Sequence, residues 1–351
     1  PGNHESSAGV TYQTCLLDLT SGVEKVFNGA ESFSFTKDSR YLLLKGRAET
    51  TMELNLYHLE KKFIKTIANL NSYVLDPTHQ YLAYLCESAG NPGSHLEIVN
   101  LLDFSMIFPD MEQAKYEKLK WDSWGLTLVK VGADSATEHL GVDIEILRNI
   151  KGKLHYSSLF EDMKDDLLGN MEVSKFYSPH WSADGKVLFF GLIPKKHMEA
   201  VSQKATLDIW HWKDREIQSR QKNRYYANRA KAFLCAWWPE EKRWKQIADT
   251  TFSEVAAIAP NGDYVLMVDD KPYRPHYREP HRDWYLVHTA TGQRTLLLEN
   301  TILSAFFSRE GKYVYYFKDK NWWAYHIARG KLINLTSQLP EGLSDIDYDG
   351  P

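Results

Sequence analysis

Apolar and polar positions along this chain follow one recurring phrase: a short apolar or aromatic run, a polar turn containing Asp, Asn or Gly, and a second run rich in β-formers. The phrase occupies Phe33 to Leu43, Val74 to Ala83, His180 to Phe189, Ala257 to Leu266 and Phe306 to Tyr315. A degraded copy runs from Lys120 to Leu128 around Trp121-Asp122-Ser123-Trp124-Gly125. Asp-Gly, Asn-Gly and Glu-Gly supply the positive φ of a tight turn, and the flanking β-branched and aromatic residues favour strands, so each copy predicts a β-hairpin.

Most copies are followed by a further apolar stretch, such as Asn55 to Leu59, Leu96 to Asn100, Trp284 to His288 or Trp323 to Ile327, then a turn and a last strand. Four strands per repeat at this period define an all-β chain built as a β-propeller of four-stranded blades. The turn centres Asp38, Thr78, Trp124, Asp184, Asn261 and Glu310 lie about 40, 46, 60, 77 and 49 residues apart, which gives six visible blades, two of them with insertions. Cys15 to Phe27 reads as the outer strand pair of a partial N-terminal blade. About seven blades are therefore expected in the intact protein, since ring closure removes the open edge. Residues 1–351 are read as one propeller domain, because a radially repeated core absorbs this length without splitting.

Composition narrows the function classes. Hydrophobic residues make up 43% of the chain and aromatic ones 13%, enough for substantial burial. The formal net charge of -4 gives no global attraction to nucleic acid or an anionic membrane, so no nucleic-acid partner is expected. No apolar run approaches the roughly 18 residues of a membrane span, and none is expected. Cys15, Cys86 and Cys235 are an odd number, widely separated, and each lies in a strand-like apolar run, so buried thiols and no disulfide framework are expected.

Catalytic signatures are missing from the sequence. The nearest approach to a hydrolase nucleophile elbow, Gly342-Leu343-Ser344-Asp345-Ile346, lacks its second Gly. Gly-Lys pairs at 152, 185, 311 and 330 have no upstream phosphate-loop Gly and read as turns. Glu240-Glu241 reads as a hairpin tip, and Asp347 and Asp349 as ordinary acidic turn residues. Neither a cofactor, a metal nor a catalytic residue is assigned.

The chemically richer segments are the insertions, at about 213–230 and 271–283. The first carries Arg220 and Arg224 in a basic, Gln-rich stretch without Gly or Pro; it reads as a solvated linker or short helix, or as a ligand or domain contact. The second interleaves Arg274, His276, Arg278, His281 and Arg282 with aromatics and prolines. It reads as a rigid exposed hairpin extension, with gripping of carboxylates or stacking on bases as the functional alternative. Two histidines without a third ligand make a poor metal site.

Three segments together resemble the N-terminal propeller of bacterial prolyl oligopeptidase family serine peptidases: Ser178-Pro179-His180-Trp181-Ser182-Ala183-Asp184-Gly185, Asp208-Ile209-Trp210-His211-Trp212-Lys213-Asp214 with Gln218 and Gln221, and Leu332-Ile333-Asn334-Leu335-Thr336. The resemblance spans most of the chain and is strongest from about residue 175. It implies a non-catalytic gate that selects peptide substrates for a C-terminal α/β-hydrolase domain, expected beyond Pro351, in a periplasmic or secreted protein. The alternative is a stand-alone propeller that acts as a protein- or ligand-binding scaffold.

Overall fold

The recurrent turn is one hydrogen-bonded device used five times. In the computed structural model, which describes residues 13–48, 51–87, 94–108, 115–133, 140–150, 153–163, 170–195, 231–274 and 279–339, the Thr36 N–H donates to the Tyr41 carbonyl and the Ser39 N–H to the Thr36 carbonyl. The same two bonds close Asp76–Tyr81, Ser182–Val187, Ala259–Tyr264 and Ser308–Tyr313, all between 2.8 and 3.0 Å. In four copies the first side chain accepts from the sixth N–H as well: Thr36 from Tyr41 at 3.0 Å, Asp76 from Tyr81 at 2.7 Å, Ser182 from Val187 and Ser308 from Tyr313 at 3.1 Å. A short oxygen-bearing side chain at that position is what the bond requires.

These turns join strands into sheets, and the described residues fall into two compact units. The first, residues 1–140 with 144–156, opens with the antiparallel pair β1 (Gln13–Leu17) and β2 (Glu24–Asn28). Its first blade is β3 (Ala30–Phe35), β4 (Tyr41–Ala48), β5 (Thr51–His58) and β6 (Ile64–Ile67). The second is β7 (Leu70–Leu75), β8 (Tyr81–Glu87), β9 (Ser94–Asn100) and β10 (Met106–Phe108). The third is β11 (Lys115–Asp122), β12 (Gly125–Ala133), β13 (Leu140–Ile150) and β14 (Lys153–Ser158), of which the last two also supply residues to the other unit.

The second unit, residues 141–143 with 157–351, carries a helical turn, α1 (Leu159–Asp162), capped by the Ser158 hydroxyl. Its fourth blade is β15 (Met171–Val173), β16 (His180–Trp181), β17 (Leu188–Pro194), β18 (Phe233–Trp238) and β19 (Arg243–Gln246). Strands β15 and β16 both pair with β17, so they are two halves of one inner strand. Pro179 lies in the break between them, where a residue without an N–H cannot continue a ladder. The fifth blade is β20 (Glu254–Ile258), β21 (Tyr264–Asp269), β22 (Arg282–His288) and β23 (Arg294–Thr301). The sixth is β24 (Ala305–Phe307), β25 (Tyr313–Lys318), β26 (Asn321–His326) and β27 (Lys331–Asn334). Strands follow chain order across every blade. Six blade-type sheets and one hairpin among the described residues make this an all-β chain of the β-propeller class.

Consecutive blades within each unit pack against each other, and period-two alternation divides the buried residues of the central strands between the two neighbours. Leu42 and Leu44 meet Leu16 and Phe27 of the opening hairpin, whereas Tyr41, Leu43, Leu54 and Leu56 meet Leu82 and Tyr84 of the second blade. Ala83, Leu85, Leu96 and Ile98 then face Leu126, Leu128 and Leu147 of the third. In the other unit Val265 and Met267 pack with Phe189 and Ala236, and Leu266 and Val268 with Val314 and Tyr316. Central strands are thus apolar on both sides, and each fully buried leucine contributes about 1.5–3 kcal/mol of transfer free energy.

One sequence expectation is corrected. Cys86 and Cys235 are buried, but Cys15 is exposed: among the described residues β1 pairs only with β2. The fifth-blade extension begins as an ordered turn. Lys271–Tyr273 forms a single turn of 3-10 helix, and the Lys271 ammonium bonds the Thr250 carbonyl at 3.2 Å.

Candidate functional site

Neighbouring inner turns touch in the regular blades. The Lys37 N–H donates to His79 Nδ1 at 3.1 Å and the Lys37 ammonium to the Pro77 carbonyl at 2.6 Å, tying the first turn to the second. The Ala183 N–H donates to the Pro260 carbonyl at 2.6 Å, tying the fourth to the fifth. Gly262 completes that fit: its φ is 77°, and a Cβ there would stand 2.9 Å from the Ser182 Cβ.

Between the second and third blades this contact is replaced by a cavity of about 460 Å³. The cause is turn length. Asp122 pairs directly with Gly125, so β11 and β12 close through the two residues Ser123 and Trp124 and not through the longer loop of the other copies. Gly125 makes the short closure possible, with φ at 149° and space for a Cβ denied by the Leu147 carbonyl 2.5 Å away. The Asp76–Tyr81 turn therefore faces open space.

Aromatic rings and carboxylates line that space. Tyr81 and Trp121 stack with centroids 6.4 Å apart and planes 20° from parallel, and Trp124 adds a third ring. Asp76 is occupied by its own turn, accepting from the Thr78 N–H at 2.9 Å and the Tyr81 N–H at 2.7 Å. Burial raises the Asp122 carboxyl above the ordinary carboxylate value, outweighing N–H bonds from Trp124 and Gly125 and the charges of Lys120 and Arg148. The Arg148 Nε–H donates to the Trp124 carbonyl at 3.2 Å.

A smaller cavity of about 180 Å³ lies between the fourth and fifth blades, and its charges answer one another. Lys186 pairs with Asp184 at 3.0 Å and Arg243 with Glu241 at 2.5 Å, and the Arg243 guanidinium lies 3.8 Å from the centre of the Trp238 ring. Burial pushes the Asp184 carboxyl up, but bonds from Ser182 and Lys186 outweigh it and hold the group below its ordinary value. Glu240 and Glu241 form the hairpin tip that the sequence suggests, a 3-10 turn ended by left-handed Lys242.

Of the cations singled out in the sequence, Arg274, His281 and Arg282 lie among the described residues; His276, Arg278, Arg220 and Arg224 lie outside them. So do the Asp208 to Asp214 segment with Gln218 and Gln221 and, at the far end, Asp347 and Asp349. Arg274 pairs with Asp270 at 2.7 Å. Tyr273 donates to Asp283 at 2.5 Å, and Asp283 also accepts the Asn300 N–H at 2.8 Å. Burial first, and then that carboxylate, push the Tyr273 hydroxyl up to about 12. The His281 ring lies 6.3 Å from that of Tyr273, with Nδ1 3.4 Å from the Asn300 carbonyl. Arg282 Nε is buried with no hydrogen-bond partner among the described residues. The extension thus gathers Tyr273, His281, Asp283 and Asn300 against their own blade, while Arg274 is taken by Asp270.

Tyr81, Trp121, Asp122 and Trp124 were not marked as a site by sequence reasoning. The available signal was the shortened third copy, in which two tryptophans flank the turn. Among the described residues no group of three or more His, Cys, Asp or Glu is placed to hold a metal ion, and no helix is long and apolar enough to cross a membrane.

No protein-family profile matches the chain, and no curated protein matches it. Solved structures similar to it include the β-propeller domain of the Trilobed protease from Pyrococcus furiosus, at 13% identity and a TM-score of 0.37 over 84% of this chain and 80% of that one. A eukaryotic initiation factor is similar at 12% identity and a TM-score of 0.44, over 91% and 72%. The Pyrococcus horikoshii acylaminoacyl peptidase is similar at 12% identity and a TM-score of 0.37, over 88% of this chain and 46% of the peptidase.

Proposed function

We propose that this chain is the non-catalytic propeller of a prolyl oligopeptidase-like serine peptidase, gating and selecting peptides for an α/β-hydrolase domain of the same parent protein. The observation that carries the reading is the segment Ser178 to Gly185. The part that resembles the peptidase propellers forms the second half of an inner blade strand and its turn, with the Ser182 hydroxyl bonded to Asp184 at 2.7 Å. The resembling segment at Leu332 to Thr336 ends the last blade, where the Thr336 hydroxyl accepts from the Trp322 N–H at 3.0 Å and donates to Asn321 at 2.9 Å. In this reading Arg274, His281 and Arg282, with His276, Arg278, Arg220 and Arg224, contact substrate or the hydrolase, and the protein is periplasmic or secreted.

A fluorophosphonate probe tests it, because such probes form a covalent bond with an activated serine. Extract of the source organism is labelled and this polypeptide detected by antibody. A labelled product larger than the present chain by roughly 200 to 250 residues, a typical domain's worth, is expected. An unlabelled product of the chain's own mass sinks the peptidase reading in favour of a stand-alone binding propeller.

A further inference from the structure

We propose that the cavity between the second and third blades is a receptor for a cationic side chain, arginine or lysine, presented by a peptide segment. The site exists because one turn is short. In two other pairs consecutive inner turns bond to each other, Lys37 to His79 and Ala183 to Pro260; here the two-residue closure at Ser123-Trp124 leaves about 460 Å³ unfilled. That volume lies within the roughly 300–1,000 Å³ of small-molecule sites.

The chemistry of the walls selects the ligand. Tyr81, Trp121 and Trp124 present π faces, and the charged side chains in the lining are Asp76 and Asp122, with no Lys, Arg or His among them. A ring face attracts a cation within about 6 Å of its centre, most strongly when the cation is desolvated. Both carboxylates accept N–H bonds from their own turns, Asp76 from Thr78 and Tyr81 and Asp122 from Trp124 at 2.9 Å, and Asp122, whose charged form burial disfavours, is the counter-charge that gains most from a cation. Its carboxylate is held at an energetic disadvantage by burial even with Lys120 and Arg148 nearby, and a guest cation relieves that disadvantage. An anionic guest is repelled by the two carboxylates of the lining, and a neutral one adds no charge to offset the burial of Asp122. The inference does not depend on a hydrolase domain and holds for a peptidase gate or a stand-alone binder alike.

The test uses the full chain and two fluorescein-labelled pentapeptides, Gly-Gly-Arg-Gly-Gly and the same peptide with citrulline, which keeps the shape of arginine without its charge. Fluorescence anisotropy is expected to show binding of the arginine peptide at least tenfold tighter than of the citrulline peptide. Asp122→Asn should remove most of that difference, and Trp124→Ala should weaken the arginine peptide about tenfold, with circular dichroism confirming that both variants are folded. Equal affinity for the two peptides, no binding of either at millimolar concentration, or full arginine preference in folded Asp122→Asn would each overturn the proposal. The peptide comparison in the unmodified chain decides even where a variant fails to fold.

Discussion

The turn pair between the fourth and fifth blades and the turn pair between the second and third start from related sequence and end in opposite states. In the first, Ser182-Ala183-Asp184-Gly185-Lys186 and Ala259-Pro260-Asn261-Gly262-Asp263 meet backbone to backbone, and the nearby charges form close pairs. In the second, a regular turn at Asp76–Tyr81 faces a closure too short to reach it, and aromatic rings and a carboxylate border the gap. Regularity closes a repeat protein and a local deletion opens it. Function on such scaffolds is to be sought where the repeat is broken.

That comparison breaks most readily at Gly262. Gly262→Ala combines a left-handed backbone with a Cβ 2.9 Å from Ser182, and a loss of about 2–3 kcal/mol is expected from urea unfolding. A loss below about 0.5 kcal/mol would mean that the closed pair is not tightly packed.

The two carboxylates sharpen it next, since they shift in opposite directions. The folded-state pKa of Asp184 is depressed, so its stabilisation is present above the ordinary aspartate value of 3.8 and is lost as pH falls through the lower, folded value. The folded-state pKa of Asp122 is raised, so the folded chain binds that proton more readily than the unfolded one, and its penalty at neutral pH is relieved as pH falls toward 3.8. Asp184→Asn should therefore lower the urea midpoint at pH 7, and Asp122→Asn should raise it and flatten its change as pH falls toward the ordinary aspartate value. Opposite signs would remove the physical contrast between the two turn pairs. A gain in stability with a loss of arginine binding at Asp122 is the pattern of a site kept for function.

The smallest effect is expected at Ser39, which occupies with φ at 55° the left-handed position that Gly185, Gly262 and Gly311 fill in later copies. Ser39→Gly should stabilise the chain by roughly 0.5 kcal/mol, the relief of strain being partly offset by the entropy of the unfolded glycine. A loss of similar size would show that the serine makes a compensating contact.

Blade order and turn positions were legible because their chemistry is local and repeated. The hydroxyl or carboxylate that opens the turn and the glycine three residues later can be read without knowing what surrounds them. His79 shows the limit: it takes the glycine's place, and its bond to Lys37 comes from another blade 42 residues away. Cys15 was misjudged because an apolar strand predicts burial only if something covers it. The cavity escaped notice because it consists of missing residues, and the scan for site chemistry looked for residues that were present.

Burial of both faces of the central strands has a consequence for synthesis. Strand β17 is apolar throughout and nearly all buried, yet 38 residues separate its end from the start of its partner β18 at Phe233. At about 5–20 residues per second, a ribosome leaves that strand without its next neighbour for roughly 2–8 s. During that interval the growing chain carries a bare, aggregation-prone edge, and the fourth blade is where assistance from a chaperone would matter most.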